Sequence, residues 1–573
     1  MSTTTLPSAQ GADRDRIFEQ AAAAAGPAKG SGAPPREALP ALLPAYYRHV
    51  ATEELAARSD LDVYGAFASH HHLALERTPG QAKVRVHTPT VAENGWSAGS
   101  HSVVEVVVDD MPFLVDSMTM ELSRGLHDVR TVVHPTFDVR RDEAGRLLSA
   151  EPVSSGSTAP ADGAIRESWM HIEIGRLSGE DDDTAEQVVA DCLRVLGDVR
   201  ASVEDWPGMQ ARVAEVVSGL QSDPPPLPAA EIRQAAELLD WLADEHFTFL
   251  GYREYVLDRV SVDGGPDDDV LRPVPGSGLG ILREHPSEGD TSVAFGKLPD
   301  AVKAKAREKR LLVLAKANSR STIHRPAYLD YVGVKTFGPD GEVVGERRFL
   351  GLLSSAAYTE SVTRIPVLRE KATEVMRRAG FDPRSHAGKA LMDTLENYPR
   401  DELFHTSPAE LAPIAQDVMF ARERRQLRAF VRRDTYGRYV SVLVYLPRDR
   451  YSTAVRERFA DILRDDLGGE HVEFTARVNE STTARVHFVV HPPLGSHIPD
   501  VDVADLERRL TEASRSWRDD FVAAVVNDYG EERGSQLARA WSDAFPEAYK
   551  EDYSPQRGSA DLGRIEAIEG EQG

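Results

Sequence analysis

The chain has 573 residues, with 67 Lys plus Arg against 92 Asp plus Glu, a net charge of −25 and 41% hydrophobic residues. This length exceeds what one hydrophobic core serves, so three or four domains are expected, and the acidic balance argues against nucleic acid or an anionic membrane as partner. The one cysteine, Cys192, excludes an intramolecular disulfide and suits a reducing cytoplasm, and no apolar run nears the roughly 20 residues that cross a bilayer.

In chain order, residues 1–37 are rich in Ala, Gly, Ser, Pro and charge, and read as a disordered tail; they lack signal-peptide character, so the expected location is cytoplasmic. A helix over Leu39–Ala56 places Leu42, Leu43, Tyr46, Tyr47 and Val50 on one face. His70-His71-His72 reads as a solvated segment, because adjacent residues do not converge on one metal ion. Strands are expected at Ala82–His87, Ser102–Val108, Val129–Arg140 and Ser168–Ile174. Asp109-Asp110-Met111-Pro112 halts the second of these, and Phe113, Leu114, Met118, Leu122 and Leu126 then recur at helical spacing. A further helix at about Asp183–Val199 offers Val188, Val189, Cys192, Leu193 and Leu196 as its apolar face, and Asp142–Arg166 reads as a surface insertion. Residues 38–222 thus predict a helix followed by a small ferredoxin-like βαββαβ unit.

Consecutive prolines in Pro224–Pro228 predict a stiff, exposed linker. Beyond it, residues 229–400 read as a mixed α+β domain. Its strands are His246–Leu257, Leu311–Ala315, Ala327–Phe337 and Glu346–Leu352; its helices are Ile232–Leu242, Pro366–Arg378 closed by Gly380, and Ala387–Asn397. Ser407-Pro408-Ala409-Glu410 is a capping-box start that opens a second copy of the early pattern over residues 401–500. That copy has a hairpin of Leu427–Arg432 and Val440–Tyr445 turning at Asp434–Gly437, a helix at Ala454–Leu463, and strands at Val472–Val478 and Arg485–His491. A long helix over Val503–Val526 opens a helical segment and tail, residues 501–573.

Catalytic motifs fail. In Gly276-Ser277-Gly278-Leu279-Gly280 the sixth fingerprint position is Ile281 and no strand leads into the loop, so it reads as a flexible loop. No phosphate-binding GxxxxGK[ST] or nucleophile-elbow GxSxG occurs. His134, His171, His324 and His405 are scattered and read as structural, and Cys192 reads as core. Two basic clusters break the acidic background: Lys303, Lys305, Arg307, Lys309, Arg310, Lys316, Arg320 and Arg325, and Arg422, Arg424, Arg425, Arg428, Arg432 and Arg433. Pairing with the protein's own acid is the preferred reading, against anion binding or subunit docking.

The best ligand argument rests on Asp109, Asp110, Met111, Asp116 and Ser117. Backbone N–H groups at a helix start are unpaired and lie at the positive end of its dipole, so an amino-acid carboxylate fits there with Asp109 or Asp110 taking the ammonium group. The competing reading has the two aspartates simply capping the helix. No residue stands out as catalytic, cofactor-binding or metal-ligating.

Five stretches, DDMPFLVDSMTMEL, ELLDWLADEHFTFLGYREY, SRSTIHRPAYLDYVGVK, RDELFHTSPAELAPIAQDV and YGRYVSVLVYLPRDRYST, together resemble the N-terminal part of the large NAD-specific glutamate dehydrogenases of bacteria. The likeness runs from about Ala41 to Ile565. It implies an α+β, multidomain fold: two ACT-like units flanking a PAS-like mixed α/β region, with a helical C-terminal end. It also implies NAD as cofactor of the full-length enzyme, which converts L-glutamate, NAD and water to 2-oxoglutarate, ammonium and NADH. On this reading the chain is a regulatory and oligomerisation region from which the catalytic domains are absent, and it binds no NAD itself. Its expected partners are the catalytic glutamate dehydrogenase domains, further copies in a homo-oligomer and an amino-acid effector, with no nucleic acid and no membrane. The alternative is a stand-alone ACT/PAS small-molecule sensor or scaffold.

Overall fold

The computed structural model describes residues 9–24, 34–154, 156–157, 159–160, 162–177, 182–260, 268–283, 307–424, 426–434, 439–478, 482–493 and 498–571. Lys303, Lys305, Arg425 and the hairpin-turn residues 435–437 lie outside the described residues. The chain falls into two compact units, one within residues 1–296 and 309–357 and the other within 297–308 and 358–573. The mostly exposed proline run lies inside the first unit rather than between the two.

The first unit begins with helices α1 (Ala9–Ala24), α2 (Leu39–Tyr46), α3 (Thr52–Ala56) and α4 (Asp60–Ala74). Residues 9–24, expected within a disordered tail, are helical because Phe18 and Ala21 find a core: both are buried, and Phe18 stacks on Tyr47. The single helix expected over Leu39–Ala56 is broken into α2 and α3 by a turn in which the Val50 N–H bonds the Tyr47 carbonyl. The residues expected on its apolar face, Leu42, Leu43, Tyr46, Tyr47 and Val50, are all buried. His70 and His71 are buried as well, which corrects the solvated reading; the Tyr46 hydroxyl bonds the His70 Nδ1 at 2.9 Å.

Strands β1 (Lys83–His87), β2 (His101–Asp109), β3 (Val129–Val133), β4 (Thr136–Arg141), β5 (Leu147–Pro152) and β6 (Ile165–Gly175) form one antiparallel sheet ordered β1-β2-β6-β4-β5. Strand β3 also pairs with β6, so β3 and β4 run in series along it, interrupted where Pro135 lacks a ladder N–H. Helix α5 (Leu114–Arg124) follows β2, and α6 (Asp182–Ser222), a 41-residue helix rather than the expected short one, follows β6. With β3 and β4 taken as one interrupted strand, the order is ββαβββα, a ββαββα core to which β5 is added, and not the expected βαββαβ. The edge beside β2 is filled by β1 from upstream, because the chain leaves along α6 toward the next sheet.

Pleat alternation divides this sheet's two faces. Val104, Val106, Val108, Met170, Ile172 and Ile174 face α5 and α6, whereas Val107 and Trp169 pack with the N-terminal helices. Covering both faces explains why Val residues fill both faces of β2 on either side of the buried Glu105. In the first half of α6 the buried positions are Val188, Cys192, Val195, Leu196 and Val199; Leu193, expected inside, points outward.

After α7 (Ala229–Trp241) comes a second antiparallel sheet: β7 (Phe247–Val260), β8 (Asp268–Pro273), β9 (Leu279–Gly280), β10 (Leu312–Arg320), β11 (Tyr328–Phe337) and β12 (Val343–Leu353). Its order is β10-β11-β12-β7-β8, with β9 on β7. The glycine-rich loop leads into β9 as a packing device. Gly280 has φ 61°, and a Cβ there would lie 2.1 Å from the Leu250 carbonyl oxygen. Leu250, Ile323, Leu329, Leu350 and Leu352 share one core with α5 and α6, which places that helix layer between the two sheets.

The second unit carries α8 (Leu368–Ala379), closed by Gly380 at φ 71°, then α9 (His386–Glu396), α10 (Arg400–His405) and α11 (Pro408–Arg424). The expected capping box forms, with Ser407 and Glu410 bonding each other's backbone N–H. Strands β13 (Arg428–Arg433) and β14 (Val440–Pro447), helix α12 (Thr453–Leu467), strands β15 (His471–Arg477) and β16 (Thr483–His491), and helix α13 (Val503–Ala513) repeat the ββαββα order, with sheet order β13-β14-β16-β15. The long helix expected over Val503–Val526 stops at Ala513, because Ser516 and Asp519 form a second capping box that starts α14 (Trp517–Tyr529). Helices α14, α15 (Glu531–Trp541) and α16 (Pro555–Glu571) enclose a cluster containing Phe521, Val525, Leu537 and Leu562.

Candidate ligand site

The residues singled out around the start of α5 fall into two groups. Asp109 ends β2 and is already paired: its carboxylate accepts from Arg77 and, at 2.7 Å, from Arg200 of α6. Burial alone would raise its pKa, but these two hydrogen bonds outweigh burial and hold it below the ordinary carboxylate value. Arg77 also serves the fully buried Glu167, which takes Arg141 and the Trp169 indole N–H as well. Asp110 is exposed, with its N–H on the Arg166 carbonyl, and Met111 packs half-buried on the α5–α6 core. Neither aspartate caps α5. Its N-cap is Phe113, in the left-handed conformation at φ 72° with no side-chain cap.

Asp116 and Ser117 meet a segment some 200 residues downstream, the β10–β11 loop. The buried Ser117 Oγ donates to the Phe113 carbonyl at 2.6 Å and accepts the His324 N–H at 3.0 Å. Asp116 and His324 approach at 3.3 Å on the surface. His324 is also left-handed, at φ 70°, and its ring lies 5.1 Å from that of Phe113. The loop is held by Ile323 in the shared core, by Thr322 on Asp198, and by Ser321, whose Oγ donates to the Ile323 carbonyl. Two non-glycine residues in left-handed backbone thus touch at one joint, and strain of this kind persists only where the surroundings over-determine it.

Beside the joint lies a groove of about 490 Å³ between α5 and this loop. Asp116, Met120, Glu121 and Arg124 line it from α5; Arg320 at the end of β10 and His324 of the loop line the other side. Glu121 is buried and accepts from Arg124 at 2.6 Å and from Arg194 at 2.7 Å. The Arg320 guanidinium lies over the Tyr328 ring. The groove carries both charge signs on an apolar floor, which suits a zwitterion and offers no nucleophile. Cys192, close by on α6, is buried and its thiol is pushed up to about 12 by burial, so it stays protonated. Among the described residues no group of three or more His, Cys, Asp or Glu is placed to hold a metal ion.

Sequence reasoning thus located Asp116 and Ser117 but missed His324, Arg320, Glu121 and Arg124. The available signal was SRSTIHRP, a polar stretch at the head of a strand, whose partner no local pattern reveals. Most of the second basic cluster is spent on the protein's own acid: Arg428 on Glu507, Arg432 on Glu402 and Arg433 on Asp500.

Family models match in the same order as these elements: glutamate dehydrogenase ACT1 domain over residues 42–189, helical motif 1 over 365–424, ACT2 domain over 428–518 and helical motif 2 over 524–568. The NAD-specific glutamate dehydrogenase of Pseudomonas aeruginosa is 37% identical over 493 residues, which is 86% of this chain and 29% of that protein. That of Halomonas elongata is 37% identical over 500 residues, 85% of this chain and 29% of its own length. That of Mycobacterium tuberculosis is 35% identical over 470 residues, 80% of this chain and 27% of its own length. These matches overturn the expectation of a regulatory and oligomerisation region without catalytic domains, and with it the stand-alone sensor or scaffold. The chain matches NAD-specific glutamate dehydrogenases along most of its length while spanning under a third of theirs, so the missing dinucleotide fingerprint is no argument against catalysis. By its ordered set of ACT and helical-motif matches and by these relatives, the chain belongs to the family of large NAD-specific glutamate dehydrogenases.

Proposed function

We propose that the protein carrying this sequence is an NAD-dependent glutamate dehydrogenase, oxidising L-glutamate with NAD and water to 2-oxoglutarate, ammonium and NADH. The observation that carries this reading is 37% identity over 493 residues to a protein of that name. The test is glutamate-dependent NADH formation by the purified natural-length protein. Turnover with NAD supports the reading; turnover with NADP alone, or with another amino acid in place of glutamate, refutes it.

Within that enzyme the groove between α5 and the β10–β11 loop takes an amino-acid effector, its carboxylate toward Arg124 or Arg320 and its ammonium toward Asp116. The mixed charge of the lining and its volume of about 490 Å³ support this assignment. The same proposal includes a homo-oligomer, a cytoplasmic location, a PAS-type sensor role for the second sheet and contact with the dehydrogenase chemistry of the same enzyme. Among the described residues no helix is long and apolar enough to cross a membrane. A thermal-shift screen of the twenty amino acids tests the effector site. A stabilisation lost in Arg124→Ala supports it, and one that survives both Arg124→Ala and Asp116→Ala places the ligand elsewhere.

A further inference from the structure

In the second unit, Arg477 of β15 and Arg485 of β16 are direct cross-strand partners. Like charges in that position repel and need a compensating group. Together with Arg422 of α11 they line one small pocket, completed by Tyr445 of β14 and by Thr394 and Asn397 at the end of α9. Arg400 of α10 adds a fourth guanidinium close enough for its charge to act on Arg485.

The acid available nearby does not balance these charges. Asp393 takes Arg422 at 2.7 Å, and Glu396 reaches Arg400 at 3.6 Å. Arg477 forms no ion pair among the described residues, and Arg485 spends its bonds on the Asn397 carbonyl and the Tyr445 hydroxyl. The buried Arg485 Nε, Arg400 Nε and Arg400 Nη1 have no hydrogen-bond partner among the described residues. Burial lowers the pKa of both Arg400 and Arg485, and the Arg477 charge lowers each further against partial offsets from Glu396 and Tyr445. Buried donors left unmade cost free energy, and guanidinium forks match the planar or tetrahedral oxygens of a carboxylate or phosphate.

We propose that this pocket is an oxyanion site that takes the carboxylate or phosphoryl group of a small anionic metabolite. Its volume of about 40 Å³ holds the oxygens of one such group, so the remainder of the ligand lies outside. The site is independent of the dehydrogenase reading and of the groove in the first unit.

The test is isothermal titration calorimetry of the full chain with inorganic phosphate, acetate and malonate, at constant ionic strength set with chloride. Saturable binding of at least one anion is expected. Arg477→Gln should weaken it about tenfold or more, as loss of a charge-assisted hydrogen bond implies. Arg477 is exposed and makes no ion pair among the described residues, so this variant keeps the test sound even where Arg485→Gln loosens the structure. Arg508→Gln, whose parent side chain pairs with Asp505 and Glu512, should bind as the parent does. Tighter phosphate than carboxylate assigns a phosphoryl ligand, and the reverse assigns a carboxylate. Absence of saturable binding for all three anions overturns the proposal, as does undiminished affinity in both Arg477→Gln and Arg485→Gln.

Discussion

Ser117→Ala should detach the β10–β11 loop from the start of α5. The serine hydroxyl donates to the Phe113 carbonyl and accepts the His324 N–H. The Phe113 carbonyl keeps its bond from the Ser117 N–H, so that loss is small. The His324 N–H loses its partner. A lost neutral hydrogen bond costs about 1 kcal/mol and an orphaned donor about 1–3 kcal/mol, and the half-exposed histidine lets water recover part of this. The expected net is about 2 kcal/mol, or about a thirtyfold rise in the local opening constant. Hydrogen exchange with mass spectrometry reads it directly: peptides over residues 320–327 should exchange about thirtyfold faster, while those from β2 stay unchanged. Equal exchange of the loop in parent and variant would refute the claim that Ser117 joins these segments.

Glu167→Gln leaves the buried guanidiniums of Arg77 and Arg141 without their shared anion, and should cost about 3–5 kcal/mol in the protection of β6 amides; a loss under about 1 kcal/mol contradicts the buried network. Leu126→Gly should raise the melting temperature, because Leu126 is 93% exposed yet held at φ 60°. Relief of left-handed strain exceeds the added chain entropy by about 0.5–1 kcal/mol, and a lowered midpoint would show that Leu126 carries no such strain. Glu402 is buried; burial would raise its pKa, but the bidentate Arg432 and nearby His487 hold it at about 2. A carboxylate depressed in the fold contributes stability that is present above its unfolded pKa and lost as pH falls from about 4.5 toward 2. Glu402→Gln should therefore flatten the acid limb of the second unit's stability profile, and an unchanged limb in a pH-dependent urea titration argues against the pairing.

Local pattern was enough for much of the fold. The Val-rich β2, the helix after Phe113, the Ser407–Glu410 capping box and the Gly380 stop each state their element through nearest neighbours along the chain, and each element forms, although Leu126, read as part of the helix's apolar spacing, lies beyond its end and is exposed. The repeat was legible for the same reason, since two stretches with one order of strand and helix signals fold to one core order, β1-β2-β6-β3 in the first sheet and β13-β14-β16-β15 in the second, the first adding β4 and β5. Only tertiary packing decided the rest. The source of the edge strand beside β2, the burial of His70 and His71, and the helical state of residues 9–24 depend on surfaces supplied from elsewhere. The same holds for both sites. Asp116 and Ser117 could be read from a helix start, but His324 reaches them from some 200 residues away. The run Arg422–Arg433 looked like a basic patch, yet most of it is neutralised by Glu402, Asp500 and Glu507. The surplus charge gathers instead where Arg422, Arg477 and Arg485 converge from three elements. Charge in sequence counts residues, whereas charge in a fold depends on which residues share a burial site, and chain distance says nothing of that.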